Sequence, residues 1–404
     1  MTDFPMSIPF EQARDILHRV AAAHRLPVEQ VALARCRGHV LAQDLVAPIA
    51  LQPFDNSAMD GYACRHLDLR EDAPVSLRLV GEQFVGRALG LVVGEGECVR
   101  ITTGAPMPEG ADTVVVREDV AVDEDAIAMP QGIRPGANVR KAGEDVQAGD
   151  PVLRAGTPLN AVQVSLAASL GIDRLPVSAK PTVAVFTTGD ELVEPGIPLQ
   201  PGEIYNSNRD LLMGLLRADG LEPTAWPTLP DDPARIVAML RDAASSFDLV
   251  ISCGAVSAGE KDHIPALLQA HGSVHFWKVR MKPGMPLLAG QLDRAQFLGL
   301  PGNPVSVLAT YLALGRVLVD GLQGRSPRPR RYARLEAGID KPHPRREFVR
   351  GALRCDDAGV QWVAANAATG SHRLRAAADA DALLVLAEGA QSLARGDVVE
   401  VLTY

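Results

Sequence analysis

Hydrophobic positions recur at helical spacing near the start of the chain, in the stretch FEQARDILHRVAAAH. This period predicts a helix within residues 7–24, with Ser7 or Pro9 near its start. Between residues 48 and 146 the pattern changes to short apolar runs, such as VSLRLV, ECVRI and TVVVRE, which Gly, Pro and Asp separate. Runs without a helical period are typical of strands, so we predict a β-rich domain inserted into the chain.

Short apolar runs alternate with amphipathic stretches between residues 180 and 320. The series starts with PTVAVFTTG, RDLLMGLLRADG, EPTAWPTL, PARIVAMLRDAA and FDLVISCG, and it ends with PVSVLATYLALGRVLVDGL. Such alternation predicts βαβ units and a parallel sheet with helices on both faces. After the basic, proline-broken segment GRSPRPRR, runs such as EFVRGALR and ALLVLAEG predict a small β-barrel or sandwich.

These patterns predict a multidomain α/β protein with a central doubly wound α/β domain. The predicted boundaries are residues 1–47 plus 147–176 for a helical or extended N-terminal linker domain, 48–146 for the β-rich insert, 177–327 for the α/β domain, and 328–404 for the C-terminal β domain. The 404 residues are 47% hydrophobic, which supplies enough apolar side chain for more than one core.

Charge and composition exclude several classes of protein. A net charge of -9 argues against a partner such as nucleic acid. No run of about 18 apolar residues occurs, and the N-terminal MTDFPMSIPFEQAR resembles no secretion signal, so we predict neither a membrane span nor export. The five cysteines are scattered without CxxC spacing, which is typical of reduced thiols in a cytoplasmic protein.

Three predicted strands end in unusual loops, at residues 188–191, 254–262 and 301–306. Parallel strands place such loops on one rim of the sheet, where ligands bind in open α/β folds. The carboxylates of Glu191 and Asp262 suit magnesium, which takes one or two carboxylates together with phosphate oxygens. Glycine-rich backbone and the helix start after Pro304 would offer amide groups to an anion. The alternative is that each loop is an ordinary turn or helix cap.

The loop GAVSAGEK at residues 254–261 differs from the triphosphate-binding pattern GxxxxGK[ST]. Glu260 separates the second glycine from Lys261, and no Ser or Thr follows that lysine. Because the lysine must directly follow the glycine to reach the terminal phosphates, we do not predict a nucleoside triphosphatase.

The segment FWKVRMKPGMP at residues 276–286 has basic residues at alternate positions, Lys278, Arg280 and Lys282. In a strand all three would lie on one face and form a basic stripe for phosphate or a tetrahedral oxyanion, the alternative being a solvated strand face. Three loops of the β-rich domain, DNSAMDGYA, RITTGAP and KAGED, are ordinary turns by composition alone.

Taken in order, these loops resemble the MoeA/gephyrin E-domain family of molybdopterin molybdotransferases, and the likeness runs nearly end to end. The motifs that carry it are PFDNSAMDGYA at 53–63, RITTGAPMPEGADTVV at 100–115, KAGEDV at 141–146, TTGDEL at 187–192, SCGAVSAGEKD at 252–262, KPGMP at 282–286 and LPGNPVS at 300–306. NSAMDGYA followed by PGNPVS is the most specific combination.

The resemblance implies an elongated homodimer of four-domain subunits, whose active cleft combines the α/β domain of one subunit with the β-rich insert of the other. It also implies the reaction: adenylylated molybdopterin and molybdate give molybdenum cofactor, AMP and water, with Mg²⁺ as cofactor. The partners it implies are a molybdopterin adenylyltransferase and proteins of molybdoenzyme maturation.

The resemblance assigns roles residue by residue. The catalytic positions are Asp60, Thr103, Asp145, Glu191 and Asp262. The metal-binding positions are Glu191, Asp262 and Asp231, with Asp232 as the alternative to Asp231 in the LPDDP turn. The positions that bind pterin nucleotide or oxyanion are Gly254, Ser257, Gly259, Lys278, Lys282, Pro301, Gly302, Asn303, Pro304, Ser306, Arg345 and Ser371.

Two residues depart from the family pattern. Met285 stands in KPGMP where a lysine is usual, and the loss of a cation at a desolvated oxyanion site should weaken binding by about 1–3 kcal/mol. Ala255 stands where a second glycine is usual, so an extra methyl group would crowd backbone that approaches phosphate. These departures leave open a paralogue that inserts another oxyanion such as tungstate. A non-catalytic assembly scaffold is the other alternative, because gephyrin-like proteins also organise partners.

Overall fold

The computed structural model describes residues 4–257, 262–368 and 370–404. Its contacts divide the chain into two compact units. The core unit comprises Met1–Gln43, Ala155–Asn160 and Leu175–Tyr404, and the insert unit comprises Asp44–Arg154 and Ala161–Arg174. The four-domain boundaries suggested by the sequence stay a prediction.

A central sheet organises the core unit. Among the described residues it has seven strands, in the order Met6–Ile8, Gly272–Val279, Leu288–Leu292, Ala295–Leu300, Leu249–Cys253, Val183–Thr187 and Thr224–Ala225. The last four strands of that order are mutually parallel, as predicted. Leu288–Leu292 is antiparallel to both of its neighbours, so the sheet is mixed.

Helices cover both faces of this sheet, which confirms the doubly wound arrangement. Their bounds are Phe10–Ala23, Ser207–Ala218, Pro233–Ser246, Ile264–His271 and Pro304–Leu322. Successive residues of one strand point into different cores. Val183 and Val185 pack with Phe10–Ala23, Ser207–Ala218 and Pro304–Leu322. Ala184 and Phe186 pack with Pro233–Ser246 and Ile264–His271. Burial on both sides explains why the strands read as continuous apolar runs.

The N-terminal helix begins at Phe10 with Pro9 as its cap residue, close to the predicted start. Ser7 lies instead in the strand Met6–Ile8. The buried stripe of this helix, which includes Leu17 and Ala21, packs into the same core as the end of Pro304–Leu322.

The helix Pro304–Leu322 is long and apolar enough by length and composition to cross a membrane, but 72% of its most apolar window is buried inside the protein. A π-helical turn at Tyr311–Gly315 lies in its middle. Its apolar composition is therefore that of a core helix.

A closed β-barrel forms the C-terminal part of the core unit. Its strands follow the order Arg346–Cys355, Gln361–Ala365, Arg331–Leu335, Val398–Thr403 and Ala382–Leu386, and the first pairs with the last. Met281–Lys282 adds to the barrel by pairing in parallel with Arg346 and Glu347. The core unit also contains a small sheet of Val28–Ala32, Arg174–Ser178 and Val40–Leu41, the pairs Leu192–Val193 with Ile204–Tyr205 and Ile339–Lys341 with Gln391–Leu393, and short helices at Leu33–Cys36 and Arg375–Ala378.

The insert unit is β-rich, as predicted. Its main sheet has the strand order Ala121–Asp123, Ala126–Met129, Val75–Gln83, Glu97–Ile101, Gly61–Cys64 and Thr113–Val116. Two further pairs join Val139–Arg140 to Asn56–Ser57 and Pro151–Leu153 to Leu45–Val46. The helix Ala161–Ser169 also belongs to this unit.

Candidate active site

The loop at residues 188–191 follows the central strand Val183–Thr187. Thr188 is held at its base, because both its amide N–H and its hydroxyl donate to the Cys253 carbonyl oxygen, at 3.1 and 3.3 Å. Gly189 has a φ of 130°, and a Cβ on it would overlap the Glu191 carboxylate. The loop therefore places an exposed carboxylate at the carboxyl end of the strand.

The loop from Gly254 lies against this first loop. The Gly254 amide donates to the Leu300 carbonyl oxygen at 2.9 Å, and its φ of 101° suits glycine, on which a Cβ would overlap the Thr188 hydroxyl. Ala255 also has a positive φ, 53°, so the departure from glycine is strained as well as bulkier. Ser257 is exposed, whereas Gly259 lies outside the described residues.

The turn after Leu229 completes this part of the rim. The Gly189 amide donates to the Leu229 carbonyl oxygen at 3.3 Å, and the Asp231 amide donates to Asp190 Oδ1 at 3.3 Å. Asp232 caps the helix Pro233–Ser246, because its carboxylate accepts from the amides of Ala234 and Arg235 at 2.9 and 3.2 Å. Because Asp232 caps the helix, Asp231 is the candidate metal ligand of the two.

The carboxylates of the rim fit magnesium only if the substrate supplies some of the metal ligands. Within the described part of the chain, no group of three or more His, Cys, Asp or Glu side chains is arranged to hold a metal. Glu191, Asp231 and Asp262 instead lie separately in loops at one edge of the sheet. This donor set suits an ion that takes one or two carboxylates and completes its octahedron with phosphate oxygens and water.

A pocket of about 280 Å³ lies between the α/β part and the barrel of the core unit, and we call it the Lys282 pocket. It brings together many of the residues that the resemblance assigned to binding. Those that line it are Lys282, Pro301, Asn303, Ser306, Arg345 and Ser371, together with Met285, Glu347 and Arg350. Cations, hydroxyl groups and an amide in one cavity suit a small oxyanion.

Glu347 gives this basic pocket one carboxylate. Its two oxygens lie 2.8 Å from Lys282 Nζ and 3.0 Å from His343 Nε2. The carboxylate is 13% exposed, so its charge acts in a partly desolvated environment. Glu347 therefore holds the Lys282 ammonium group in place while it offsets part of the charge that would attract an anion.

Two buried cations support the pocket from the barrel side. Arg350 is 4% exposed and donates to the carbonyl oxygens of Gly370 and Arg373 at 3.0 and 3.3 Å. Lys341 is 2% exposed, and its ammonium group donates to the carbonyl oxygens of His343, Arg345 and Gly389. Desolvation by burial lowers the pKa of Lys341. Lys341 therefore fixes the backbone that carries Arg345.

The start of the helix Pro304–Leu322 does not offer the free amides that we expected. The Val305 amide donates to the Ser371 carbonyl oxygen at 3.1 Å, and the amides of Ser306 and Val307 donate to the Asn303 carbonyl oxygen at 2.9 and 3.0 Å. These bonds tie the barrel loop and the PGNP turn to the helix. Gly302 and Pro304 belong to the same turn, and the Gly302 carbonyl oxygen accepts from Asn208 Nδ2 at 2.6 Å.

The expected basic stripe does not form, because the strand ends at Val279. Lys278 has a φ of 66°, which breaks the alternation of side chains, and its ammonium lies 4.5 Å from the Trp277 ring centroid. Arg280 lies 3.4 Å from Glu388. Of the three cations, Lys282 alone lines the pocket formed by the described residues, so a binding role for Lys278 stays a prediction.

In the insert unit, the loop that contains Asp60 meets the loop that contains Thr103. Asp60 Oδ1 accepts hydrogen bonds from the Thr103 amide and from the Thr103 hydroxyl, both at 2.8 Å. These bonds lower the pKa of Asp60, so the carboxylate is the stable form. Both side chains are exposed.

The loop of KAGED joins the same cluster. Asp55 accepts from Lys141 Nζ and from the Ala142 amide, each at 2.8 Å, and these bonds lower its pKa. Asp145 follows in that loop and is exposed. Three segments that composition marked as ordinary turns thus converge on one surface of the insert unit.

Sequence reasoning missed Lys341, Glu347 and Arg350. The last two lie in REFVRG, directly after Arg345, so the motif contained a signal. Lys341 had none, because no local pattern shows that a lysine will be buried against three carbonyl groups.

Three family models match the chain: the MoeA N-terminal region (domain I and II) over residues 8–171, the probable molybdopterin binding domain over 184–320, and the MoeA C-terminal region (domain IV) over 332–404. The chain belongs to the MoeA family. The resemblance that the motifs indicated is therefore confirmed.

Relatives from other organisms agree with the family assignment. A Haemophilus influenzae protein named molybdopterin molybdenumtransferase is 38% identical over 377 residues, which cover 92% of this chain and 93% of that protein. A Mycobacterium tuberculosis H37Rv protein named molybdopterin molybdenumtransferase 2 is also 38% identical, over 92% of this chain and 94% of its own. The structure of the molybdopterin biosynthesis MoeA protein from Pyrococcus horikoshii OT3 is 29% identical, with a TM-score of 0.85 over 98% of this chain and 100% of that chain.

These relatives confirm that this MoeA family member is an enzyme of the transferase class, with a role in molybdenum cofactor biosynthesis. The fold class is confirmed as well, since the neighbouring structure spans the whole architecture. The roles of individual residues, and the Mg²⁺, stay predictions.

Proposed function

We propose that this MoeA family member inserts molybdate into adenylylated molybdopterin and releases AMP in a magnesium-dependent step. The observation that carries the proposal is the Lys282 pocket, which joins the PGNP turn of the α/β part to the cations of the barrel. The pocket lies next to the rim where ligands of open α/β sheets bind. A site for an oxyanion beside a site for a phosphorylated ligand is what this transfer needs.

In the proposed reaction the Lys282 pocket takes molybdate. Lys282, Arg345 and Arg350 supply positive charge, and the hydroxyl groups of Ser306 and Ser371 supply further donors. Glu347 limits the net charge, so the pocket would hold the oxyanion firmly enough to orient it and loosely enough to pass it to the dithiolene sulfurs.

The rim at residues 188–191 and 254–257 takes the pyrophosphate end of the pterin nucleotide in this proposal. Glu191, with Asp231 and Asp262, would hold Mg²⁺ against phosphate oxygens, and the ion would supply charge neutralisation for the departing AMP. Gly254 keeps the backbone of this loop free of a side chain, because a Cβ there would overlap the Thr188 hydroxyl group. The nucleotide could therefore approach the backbone closely. The chain's part is to orient the nucleotide.

For the insert loops we propose a role in the same reaction across a homodimer. Asp60 is kept ionised by Thr103, and Asp145 is exposed in the KAGED loop. The resemblance implies that this surface completes the cleft of a second copy of the chain. A cytoplasmic enzyme that receives its substrate from a molybdopterin adenylyltransferase and passes its product to molybdoenzyme maturation proteins belongs to the same proposal.

Met285 favours a second candidate function. Its side chain is 40% exposed and lines the Lys282 pocket, where the resemblance expects a lysine. With one cation fewer, the pocket would hold molybdate weakly or accept another oxyanion such as tungstate. Competition between the two oxyanions in one assay separates these outcomes.

Metal analysis of the reaction product tests the proposed function. Purified protein is incubated with adenylylated molybdopterin, Mg²⁺ and molybdate, and the pterin product is separated and analysed for molybdenum. We expect molybdenum in the product in proportion to enzyme turnover, and a strong loss with Lys282→Gln. A molybdenum-free pterin that stays bound to the protein would identify an assembly scaffold instead.

A further inference from the structure

A second cleft of the core unit, of about 850 Å³, is strongly basic. It lies between the N-terminal helix, the end of the helix Pro304–Leu322, the segment at residues 325–331 and the last strand of the barrel. We call it the arginine cleft. Among the described residues, seven arginines and four acidic residues line it, although the whole chain has a net charge of -9. The excess of positive charge is therefore local.

A buried ion network holds part of this surface rigid. Asp219 is 2% exposed and accepts from the Tyr311 hydroxyl at 2.8 Å, from Arg316 Nε at 2.9 Å and from Arg328 Nη1 at 2.9 Å. Arg328 also makes two bonds to the Asp320 carboxylate, at 2.6 and 2.8 Å. Two guanidinium groups are thus fixed before any ligand arrives, which reduces the entropy cost of binding.

The network carries more positive than negative charge. Asp219 and Asp320 lie beside three arginines, of which Arg316 and Arg328 are bonded to them. The third, Arg325, lies 3.8 Å from Asp320 Oδ1, which already accepts a hydrogen bond from Arg328. Burial, and then the charge of Arg328, lower the pKa of Arg325. A bound anion would stabilise the charged form of a guanidinium group in this position.

Further arginines extend the excess of positive charge toward solvent. Arg330 and Arg331 are exposed at the end of the segment at residues 325–331, and both line the cleft. Arg25 follows the end of the N-terminal helix, and its guanidinium group lies against Gly324. Pairing within the protein accounts for Arg316 and Arg328, which bond to Asp219 and Asp320, and for Arg14, which pairs with Glu11. Among the described lining residues, the other four arginines outnumber the two other carboxylates, Asp15 and Glu400.

We propose that the arginine cleft binds a small phosphorylated metabolite of mononucleotide size. Guanidinium groups match phosphate oxygens through paired N–H donors, and a fixed cluster of them is typical of phosphate recognition. The volume lies in the range of ligand pockets. Within the described residues the cleft shares no lining residue with the Lys282 pocket, so the site is separate from the one proposed for molybdate.

Calorimetric titration of the whole protein tests the proposal with pyrophosphate and AMP as probes and adenosine as the uncharged control. The titrations omit Mg²⁺, through which the rim at residues 188–191 is proposed to hold phosphate, and they use a Lys282→Gln/Arg345→Gln background, so that heat from these two sites does not contribute. The test variant adds Arg325→Gln and Arg330→Gln. The matched control adds Arg78→Gln and Arg241→Gln instead, which removes two exposed arginines that pair with Glu97 and Asp293 outside the cleft.

We expect the background protein to bind pyrophosphate and AMP but not adenosine, with affinity that falls as salt is added. The cleft variant should lose at least about tenfold in affinity, because each arginine can form charge-assisted hydrogen bonds to phosphate. The Arg78→Gln/Arg241→Gln control should bind as the background does. No binding of either phosphate probe, or an equal loss in the control, would overturn the proposal while leaving the proposed transferase function untouched.

Discussion

Replacing Met285 with lysine tests the link between the Lys282 pocket and molybdate. Met285 lines that pocket beside Lys282 and Ser306, and its side chain is 40% exposed. Its backbone is held independently of the side chain, because the Met285 carbonyl oxygen accepts from the Val279 amide at 2.9 Å. The substitution should therefore add a cation to the pocket without moving the loop.

The exposure of Met285 sets the size of the expected effect. A hydrogen bond to a charged group contributes about 1.5–3 kcal/mol when it is well desolvated. At 40% exposure solvent screens part of this energy, so we expect about 1 kcal/mol, or roughly fivefold tighter molybdate binding. Pairing of the new ammonium group with Glu347 would reduce the gain, and the Met285→Lys/Glu347→Gln double variant measures that competition.

Isothermal titration of molybdate into the purified protein provides the measurement, at low and high salt. Val162→Lys is the control, because it adds the same charge at a 75% exposed position of the insert unit. The gain should be present in Met285→Lys, absent in Val162→Lys and smaller at high salt. An unchanged affinity in Met285→Lys would remove this side chain from the oxyanion site and refute our reading of the pocket.

Three further predictions follow from the same geometry. Lys341→Met should lower the free energy of unfolding by about 3 kcal/mol and weaken molybdate binding, because it leaves buried carbonyl groups unpaired; a denaturant titration that matches wild type would contradict this role. Asp60→Ala and Glu191→Ala should each lower turnover at least tenfold with an unchanged melting temperature, since both carboxylates are exposed; a large fall in melting temperature would show a structural role instead. A 1:1 mixture of these two variants, exchanged into mixed dimers, should regain roughly a quarter of wild-type activity if each site takes one carboxylate from each subunit; no recovery would place both in one subunit's site.

Local pattern was enough to predict the central sheet and its rim. Strands such as Val183–Thr187 are short apolar runs between amphipathic helices, and their carboxyl ends necessarily meet on one edge. The same logic failed for Leu288–Leu292, whose run LAGQL is short and does not indicate the direction of the strand. A turn of two residues joins it to Ala295–Leu300, whereas eight residues separate it from Gly272–Val279. Its apolar pattern indicates neither pairing, so the mixed sheet was not predicted.

The Lys282 pocket depends on contacts that no local pattern reveals. Lys282 reaches it because Met281–Lys282 pairs with the barrel strand at Arg346 and Glu347, more than sixty residues away in sequence. Lys278 has its positive φ one residue before the end of the strand Gly272–Val279. The alternating pattern alone would have continued that strand. The motifs therefore indicated which residues matter, and the long-range pairing determined which of them meet.

Release of AMP from adenylylated molybdopterin, measured with purified protein and Mg²⁺ in the presence and absence of molybdate, tests the central claim most directly. We expect molybdate to stimulate release, and Glu191→Ala and Lys282→Gln each to abolish the stimulation while the protein remains folded. Release that molybdate does not change, or no release in either condition, would contradict the proposed insertion reaction.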